Sequence, residues 1–595
     1  MTALVVAGLA ALLLGGLLSA APDRLPSGFL LQATGALALG LAGAWALGTG
    51  DSWGAPFSNE LTPQAGIDGL TGFFLATIAL VACPALVFAS SYAARTAAGR
   101  ATGVLTAAFI LSLIGVVCAR DALSFLFCWE LMTLVPAVII LVGQSTEAAR
   151  HTVFAYVAIT HLGGAGTWIA LLLLGREGAI GDSTALTEGS GIQAVIAVAA
   201  IVGFGTKAGL MPMHVWLPRA HPIAPAYISA LMSGVMVAVA AYGLVRVLID
   251  WLGSPPSWVG AAMLALGGLS ALGGITYALF QRDLKRLLAY STVEHLGIVA
   301  LGLGACLVLR RHGADQWAAF ALGAALLHTL NHAAFKALLF LGAGTFERAT
   351  GSLGLDQLGG LLRRLPWSGG AFLVGALAIA GMPLLNGFAS EWLTLQALVR
   401  VPAYAGVWDG MLGAIALAAL AATMALAVLC FVKVIGLVLL GPPRRTACAE
   451  AVEPPVAMRS ALSSSPLPAS CSEPCLDCCS PAWPAWRHGP SGAASQRKRA
   501  STCLAPEPSP RSGSSSRSAA SAGSSGSRGA AGEPLRARPG PAASRSNHRS
   551  SQRVPASRSR FGSCSRQCCA HRGRSRRQRV AVSSRRCRMP AACRT

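Results

Sequence analysis

Long apolar runs constrain the fold of this chain more than any other feature of its sequence. Residues 1–440 contain about thirteen runs rich in Ala, Leu, Gly and Val, each long enough to cross the hydrocarbon core of a bilayer once as a helix. The runs cover residues 2–20, 28–49, 66–90, 102–119, 121–142, 152–174, 192–213, 223–249, 258–279, 286–309, 316–346, 369–399 and 411–440. The sequence therefore predicts an all-α, polytopic membrane protein. The runs 316–346 and 369–399 exceed the required length, which indicates tilt, a break or an attached loop.

Charge divides the chain at about residue 440. Only 12% of the 595 residues are charged, about half the share in a soluble domain. From Gly441 to the end there are 27 Lys and Arg against 6 Asp and Glu, whereas residues 1–440 hold 20 against 18. The chain is thus a nearly neutral apolar body followed by a basic tail. The first 20 residues lack a basic n-region, so we interpret them as a first spanning helix.

The connecting loops predict the orientation of the body. Eleven Lys and Arg residues lie on the side that the chain reaches after its first helix, and six lie on the other. Because cytoplasmic loops carry the excess of Lys and Arg, we expect the N-terminus outside and the C-terminal tail in the cytoplasm. The expected location is the plasma (inner) membrane of a prokaryote.

Three of the four lysines in the body lie inside apolar runs rather than in loops. The ionisable residues inside these runs include Lys207, Lys336, Lys433, Glu130, Glu294 and Glu391. A charge at the bilayer centre costs at least a few kcal/mol, so such residues face a polar interior and mark an ion path. A buried lysine can gain and lose its proton, whereas arginine stays protonated. We therefore predict that these side chains carry protons.

A ladder of titratable residues lies in the run LLHTLNHAAFKALLF. His328, His332 and Lys336 are spaced at i, i+4 and i+8, which places them on one helix face about 6 Å apart along the axis. Histidine titrates near neutrality, so the ladder predicts a proton relay. The alternative is a histidine pair that hydrogen-bonds between helices. We interpret the isolated His161 as a packing residue.

Two apolar runs contain proline close to an ionisable residue. Pro212 follows Lys207 in KAGLMPMHVWLPRAHPIAP, and Pro383 precedes Glu391 in AGMPLLNGFASEW. Proline frees backbone groups, which a membrane tolerates where they line a cavity. Both helices are therefore predicted to be broken at a transport site.

The spacing of these features predicts an internal repeat. The two breaks lie 171 residues apart, and Glu130 and Glu294 each precede a broken helix by two helices. We predict N-terminal helices in residues 1–101 and five-helix repeats in residues 102–249 and 258–440. Because five is odd, the second repeat enters the membrane inverted.

Four long segments resemble a known family. They are GTKAGLMPMHVWLPRAHPIAPAYISALMSGVM, QRDLKRLLAYSTVEHLGIVALGLG, LNHAAFKALLFLGAG and GMPLLNGFASEWLTLQAL. They resemble, in family order, the antiporter-like subunits of complex I, Mrp antiporters and energy-converting hydrogenases. The segments YSTVEHLG and LNGFASEWL are similar to the branch of hydrogenase-4 component B and formate hydrogenlyase subunit 3.

The resemblance implies inverted repeats and a polar axis that moves protons. It implies that Glu130 in FCWELMTLVP is paired with Lys207, that Lys336 with His328 and His332 forms a relay, and that Glu391 is the ionisable group of the second broken helix. Many relatives carry a further lysine in the stretch SGVMVAVAAYGLVRV, where this chain has Ala238. Water or His295 would then bridge Lys207 to the histidines.

The resemblance also implies which partners drive the chemistry. Electron transfer in neighbouring membrane and redox subunits would drive the protons, and the chain contacts lipid but no nucleic acid. GFGTKA at residues 203–208 lies in an apolar run with no preceding strand, and the body cysteines lack the grouped spacing of iron–sulfur ligands. We therefore predict no cofactor, no metal and no redox active site within the chain. The alternative function is a self-sufficient cation/proton antiporter of Mrp type.

From about Ala461 the sequence turns to Ser, Arg, Pro and Cys without periodicity. One explanation for residues 461–595 is a shifted reading frame that yields a disordered, functionless tail. The other is a genuine basic tail, in which residues 572–579 bind anionic lipid or nucleic acid. A cysteine cluster there lacks the paired CxxC spacing of zinc sites. It comprises Cys471, Cys475, Cys478 and Cys479.

Overall fold

The computed structural model of the protein describes residues 1–21, 23–93 and 99–464. Within these ranges the fold is almost entirely helical, and its strands are the two-residue β1 (Trp53–Gly54) and β2 (Gly66–Ile67), which pair antiparallel. Twelve helices of the described chain are long and apolar enough to cross a membrane. The predicted all-α polytopic fold is confirmed.

The first part of the described chain consists of α1 (Thr2–Ser19), α2 (Leu25–Thr49), α3 (Gly69–Tyr92), α4 (Gly99–Cys118), α5 (Ala122–Gly143), α6 (Glu147–Arg176), α7 (Gly191–Ala208) and α8 (Leu217–Ile223). A 3₁₀ turn, Met213–Trp216, lies between α7 and α8. The next span, Ala226–Trp251, is continuous. It consists of α9 (Ala226–Leu231), a π-helical segment (Met232–Met236), α10 (Val237–Leu244) and a second π-helical segment (Val245–Trp251).

The second part consists of α11 (Trp258–Phe280), α12 (Leu284–Arg311), α13 (Asp315–Thr350), α14 (Leu361–Arg364), α15 (Pro366–Ile379), α16 (Asn386–Tyr404), α17 (Val407–Val434), α18 (Thr446–Ala449) and α19 (Val456–Ser463). Helix α17 continues as a π-helical segment, Ile435–Leu440.

Both predicted helix breaks are present. The run 192–213 ends as a regular helix at Ala208 and resumes as α8, and the run 369–399 divides into α15 and α16. This division explains why the structure has twelve long spans where the sequence predicted about thirteen. The other long run, 316–346, contains no proline and forms the unbroken 36-residue helix α13.

Side-chain caps define where several spans begin. Asp68, Asp121, Thr146, Ser190 and Asp283 each accept a hydrogen bond from a backbone N–H in the first turn of the helix that follows. Such caps satisfy backbone donors that the helix itself leaves free. They place short polar residues at the ends of apolar runs, where the chain turns back into the bundle.

The centre of the bundle is formed by α12 and the span 226–251. The most apolar windows of both are buried along their whole length, whereas those of α1 and α17 are one-third buried. Helices α11 and α12 approach closely at Gly267, Gly274 and Gly297, where an added side chain would meet the backbone of the opposite helix. Small residues of this kind are typical of helix contacts within membranes.

Contacts between helix ends define two faces of the bundle. We call face A the end where Trp53 Nε1 donates to Thr2 Oγ1 at 3.0 Å and His312 lies 3.4 Å from Asp409. We call face B the opposite end, where Arg348 donates to the backbone oxygen of Ser91 at 3.2 Å. Successive spans alternate between these faces. Which face lies in the cytoplasm stays a prediction.

A buried ion cluster joins several helix ends at face A. Arg246 donates to both carboxylate oxygens of Asp68 at 2.6 Å, and Arg120 lies 3.4 Å from the same carboxylate. Both guanidinium groups lie over the ring of Phe57, that of Arg120 at 4.2 Å and that of Arg246 at 4.9 Å from its centre. Burial raises the pKa of Asp68, but the two arginines and the N–H of Thr71 lower it more, so the pKa lies well below its usual range.

The C-terminal end of the described chain packs on the body. Helix α19 lies against α3 and buries Met458, Ala461 and Leu462. It therefore extends two residues beyond the predicted start of the tail at about 461. The reading-frame and basic-tail explanations, and the cysteine cluster, concern residues that lie outside the described ranges.

The order of elements is compatible with the predicted repeats. Five spans begin with α4 and five with α11, and in each set the fourth span is the broken one. The first set begins at face B and the second at face A, as an inverted repeat requires. The domain boundaries themselves stay a prediction.

Candidate functional site

The first candidate group surrounds Glu130 on α5. One carboxylate oxygen of Glu130 lies 3.1 Å from His161 Nε2, and the other accepts a hydrogen bond from Trp168 Nε1 at 3.0 Å. Both partners belong to α6. The interpretation of His161 as a packing residue is therefore wrong, because a sequence does not reveal which residue of a neighbouring helix faces a given side chain.

Lys207 lies at the inner end of α7, just before the break. Its ammonium group donates to Thr133 Oγ1 and lies 5.5 Å from the centre of the Trp129 ring. Lys207 is buried, and the last turn of a helix favours a positive charge. Gly209 follows in the left-handed conformation that ends α7.

Glu130 and Lys207 interact electrostatically but do not form a salt bridge in this structure. Thr133, the partner of Lys207, lies about one turn of α5 beyond Glu130. The carboxylate of Glu130 is turned toward α6 instead. The pair that the family resemblance implies is thus present as neighbours whose side chains point apart.

The second candidate group surrounds Lys336 on α13. Its ammonium group donates to Ser291 Oγ at 2.5 Å and to the backbone oxygen of Leu288 at 2.8 Å, both on α12. Glu294 lies about one turn further along α12, is fully buried and attracts Lys336 without direct contact. One oxygen of Glu294 has no hydrogen-bond partner in the described chain.

The histidines form a cluster across two helices. His295 Nδ1 lies 3.1 Å from His328 Nε2, and His328 Nδ1 lies 3.0 Å from Ser390 Oγ on α16. His332 is buried with its ring 5.7 Å from that of His295, and neither of its nitrogens has a partner among the described residues. His295 therefore contacts the α13 histidines, and its predicted role as a bridge to Lys207 stays a prediction.

Glu391 lies beside the second break. Gly381, which has a φ of 65°, ends the first half of the broken helix directly against the Glu391 carboxylate. Leu384 in the connecting segment also has a left-handed φ of 73°, a strained conformation for a residue with a side chain. One carboxylate oxygen of Glu391 lacks a hydrogen-bond partner within the described ranges.

Three of these side chains are close enough to share a ligand. One potential ligand atom from each of His295, His328 and Glu391 lies within 4.8 Å of the other two. Two imidazoles and a carboxylate are suitable for a transition metal ion. The same contacts are also those of a shared-proton network, since one imidazole nitrogen already meets the other at hydrogen-bond distance.

The structure adds one residue to those that the sequence predicted for the site and shows the contacts of another. His221 on α8 is fully buried, and neither ring nitrogen has a partner in the described part of the chain. No spacing pattern in the sequence marks it. Lys433, which the sequence grouped with the buried charges, donates to the backbone oxygens of Leu279 at 2.6 Å and Gln281 at 3.1 Å. It caps the end of α11.

Ala238, where the family resemblance implies a lysine, is buried in α10. Beside it in the chain, Ser233 in the first π-helical segment shares a 2.7 Å hydrogen bond with Thr292 on α12. Segments of π-helix are frequent at functional sites. The polar contact between this span and α12 is thus made by two neutral hydroxyl groups.

The matches to known proteins agree with the sequence motifs. The family described as NADH:quinone oxidoreductase/Mrp antiporter, TM, matches residues 119–416. Hydrogenase-4 component B of Escherichia coli K12 is 40% identical over 402 residues, which are 66% of this chain and 59% of that protein. Formate hydrogenlyase subunit 3 of the same organism is 40% identical over 260 residues, which are 43% of this chain and 42% of that protein.

The chain spans about half the length of these two relatives. In fold, it is similar to a chain of the Mrp complex from Dietzia sp. DQ12-45-1b, with a TM-score of 0.65 and 20% identity over 81% of this chain and 97% of the other. The predicted resemblance is confirmed, including its hydrogenase-4 and formate hydrogenlyase branch.

Proposed function

Because this chain belongs to the NADH:quinone oxidoreductase/Mrp antiporter transmembrane family, we propose that it is a proton-translocating subunit of a complex I-like or hydrogenase-4-like complex. Electron transfer in partner subunits drives the protons, which pass through the buried lysine, glutamate and histidine groups. The chain itself holds no redox centre in this proposal. Its partners are the other membrane and redox subunits of the complex.

The burial of Lys207 and Lys336 is the observation that supports this proposal most. Both ammonium groups lie inside apolar helices and contact neutral oxygens, and among the described residues neither forms a salt bridge. A lysine in such a place can hold or release a proton, which arginine cannot do.

The arrangement of Glu130 and Lys207 supplies a switch for that proton. An approaching carboxylate favours the charged ammonium, and a withdrawn carboxylate favours the neutral amine. In the structure Glu130 contacts His161 and Trp168, and we assign this arrangement to the withdrawn state. Movement of Glu130 toward Lys207 would load a proton, and its return would release one toward the second group.

Orientation follows from the loop charges. With the excess of Lys and Arg on face B, we place face B in the cytoplasm and face A outside the plasma membrane. The N-terminus then lies outside, and the described C-terminal helices lie in the cytoplasm.

The test uses the complex that co-purifies with the tagged full-length chain from its native membranes. Mass spectrometry names the partners, and H₂ or NADH is then chosen as the electron donor according to the electron-input subunit found. In liposomes, a pH-sensitive dye reports protons moved per electron transferred. We expect Lys207→Ala and Glu130→Ala each to lower this ratio about tenfold or more, since a positioned proton-transfer group typically contributes about 10²- to 10⁴-fold in rate, while the complex still assembles.

Glu188→Ala is the matched control, because Glu188 is exposed in a loop at face A. A wild-type ratio in either Lys207→Ala or Glu130→Ala would refute the proposed pair. If the chain alone exchanged Na⁺ or K⁺ for H⁺ in liposomes, the Mrp-type antiporter would replace the redox-driven subunit as its function.

A further inference from the structure

We propose that protons reach Lys336 from face B through a relay formed by Glu347, Lys285 and His221. This inference rests on the proposed function and adds to it an entry route. The relay joins the first broken helix to the second candidate group. None of its three residues belongs to the site predicted from the sequence.

The outer end of the relay is an ion pair at face B. Lys285 Nζ lies 2.7 Å from Glu347 Oε2, and the side chain of Glu347 is 36% exposed whereas that of Lys285 is 2% exposed. The pair therefore has one end at the surface and the other inside the bundle. A proton from solvent can bind to the carboxylate and pass to the buried side.

Lys285 also connects the pair to α8. Its ammonium group donates to the backbone oxygen of Ala224 at 3.1 Å. Ala224 is the residue that ends α8, three positions after His221. Lys285, the buried end of the ion pair, thus contacts the last turn of α8, which is the turn that carries His221.

His221 is the central member. Its ring stacks on that of Phe340 with centroids 4.9 Å apart, and both of its nitrogens are buried without a hydrogen-bond partner in the described residues. A buried polar atom without a partner is costly, and Phe or Leu would pack there without that cost. An imidazole in this position is explained if water or a transferred proton serves as its partner.

Helix α13 carries the route inward. Phe340, which His221 contacts, is one turn from Lys336, and Glu347 follows about two turns later. The three positions face the same side of α13 because they are spaced by four and seven residues.

On α12, too, the relay residue lies nearer face B and the contact with Lys336 lies further inside. Lys285 is one turn from Leu288, whose backbone oxygen accepts from Lys336. Both lysines also act electrostatically on His221.

The transfer runs through water, because neither ring nitrogen of His221 has a direct partner among the described residues. The Lys285 ammonium gives a proton through water to one ring nitrogen of His221, and the other nitrogen releases its proton through water to Lys336 in its neutral amine form, so that a neutral imidazole remains. The neutral Lys285 amine then takes a proton from Glu347, whose carboxylate has bound that proton from solvent at face B. One proton enters from face B for each proton that Lys336 receives.

The experiment measures protons moved per electron in the reconstituted complex with its own electron donor. We expect His221→Phe and His221→Gln to lower the ratio about tenfold or more, since neither side chain transfers a proton at neutral pH. Phe retains the stacking on Phe340 and Gln retains polarity, so a merely structural role would be preserved in at least one of them. Glu347→Gln should lower the ratio too, and Glu347→Asp should restore it.

His151→Phe is the control, because His151 is an exposed histidine near face B with its side chain 78% exposed. Wild-type ratios in both His221 variants would overturn the relay. If Lys207→Ala abolished transport in the same preparations, that result would leave the proposed function standing. Should the His221 variants fail to assemble, Glu347→Gln at the surface decides, and a wild-type ratio there overturns the entry route.

Discussion

At the scale of single residues, hydrogen-bond partners distinguish two kinds of lysine within the apolar helices. Lys433 donates to carbonyl oxygens at the end of α11, where a helix leaves acceptors unpaired. Lys336 donates to Ser291 and Leu288 on the central helix α12, and the buried Glu294 lies one turn beyond Ser291 on that helix. In the proposed function, Lys433 needs only a permanent positive charge, whereas Lys336 needs a proton that can leave.

Exchange of lysine for arginine separates these roles. We expect Lys336→Arg to lower protons moved per electron about tenfold or more, because arginine does not release its proton. Lys433→Arg should retain the wild-type ratio, because a guanidinium also donates to carbonyl oxygens. Dye-based proton uptake in the reconstituted complex measures both variants, and equal ratios for the two would contradict the distinction.

Residue spacing predicted the members of the site on each helix but not their partners. The i, i+4, i+8 spacing of His328, His332 and Lys336 was visible in the sequence, as were the carboxylates inside apolar runs. His161 and His221 were not identified, because their roles depend on contacts with α5 and α13. Position within the predicted repeat offers one signal for His161, since α6 and α13 are the third spans of their sets and each carries a histidine that contacts a polar residue of the second span, Glu130 for His161 and His295 for His328.

At the scale of elements, the two breaks place ionisable groups at helix ends inside the membrane. Lys207 lies in the last turn before the first break, and Glu391 lies near the start of α16 after the second. Helix ends favour these signs of charge, positive at the C-terminus and negative at the N-terminus. Proline predicted where the breaks occur. The left-handed backbone of Gly381 and Leu384 shapes the second break. The close approach of Gly381 to the Glu391 carboxylate could not be predicted, because it depends on how α15 and α16 pack.

Substitution of Gly381 tests how much the left-handed backbone at the second break restricts the residue at that position. Gly381→Ala should lower the free energy of unfolding by about 1–2 kcal/mol, because a side chain is unfavourable at positive φ and would also collide with the Glu391 carboxylate. Gly370→Ala in α15 is the control, since open space surrounds that position, and alanine there should be neutral or stabilising. Thermal unfolding in detergent compares the two, and similar midpoints would contradict the expected strain.

The ion cluster at face A predicts a pH-dependent stability. Asp68→Asn leaves Arg246 and Arg120 without that carboxylate and should cost roughly 2 kcal/mol, less than for a fully buried pair because Asp68 is partly exposed. Since the folded state lowers the pKa of Asp68, this stability is present above the unfolded pKa near 4 and is lost as pH falls toward the folded value.

Thermal unfolding of the wild type and Asp68→Asn between neutral pH and about pH 3 measures this effect. The difference between the two should be full at neutral pH and shrink below about pH 4. A constant difference across this range would contradict the assigned carboxylate.

At the scale of the whole molecule, the buried groups fall on the two central helices and their neighbours. Helix α12 and the span 226–251 are buried along their most apolar windows. Glu294 and His295 lie on α12, and Lys336 and His328 of α13 contact it. Apolar runs predicted that this chain spans a membrane many times. They did not predict which spans are central, because a helix that is apolar all round suits both lipid and a protein core.

The central claim is that these groups belong to one hydrated line through the bundle. A cryo-electron microscopy map of the purified complex that resolves ordered water tests this claim most directly. The account predicts water beside the unpartnered atoms of His221, His332, Glu294 and Glu391, in a hydrogen-bonded line that joins Lys207 to Lys336. A dry, closely packed interior around these atoms, with the charged side chains turned toward lipid, would contradict it.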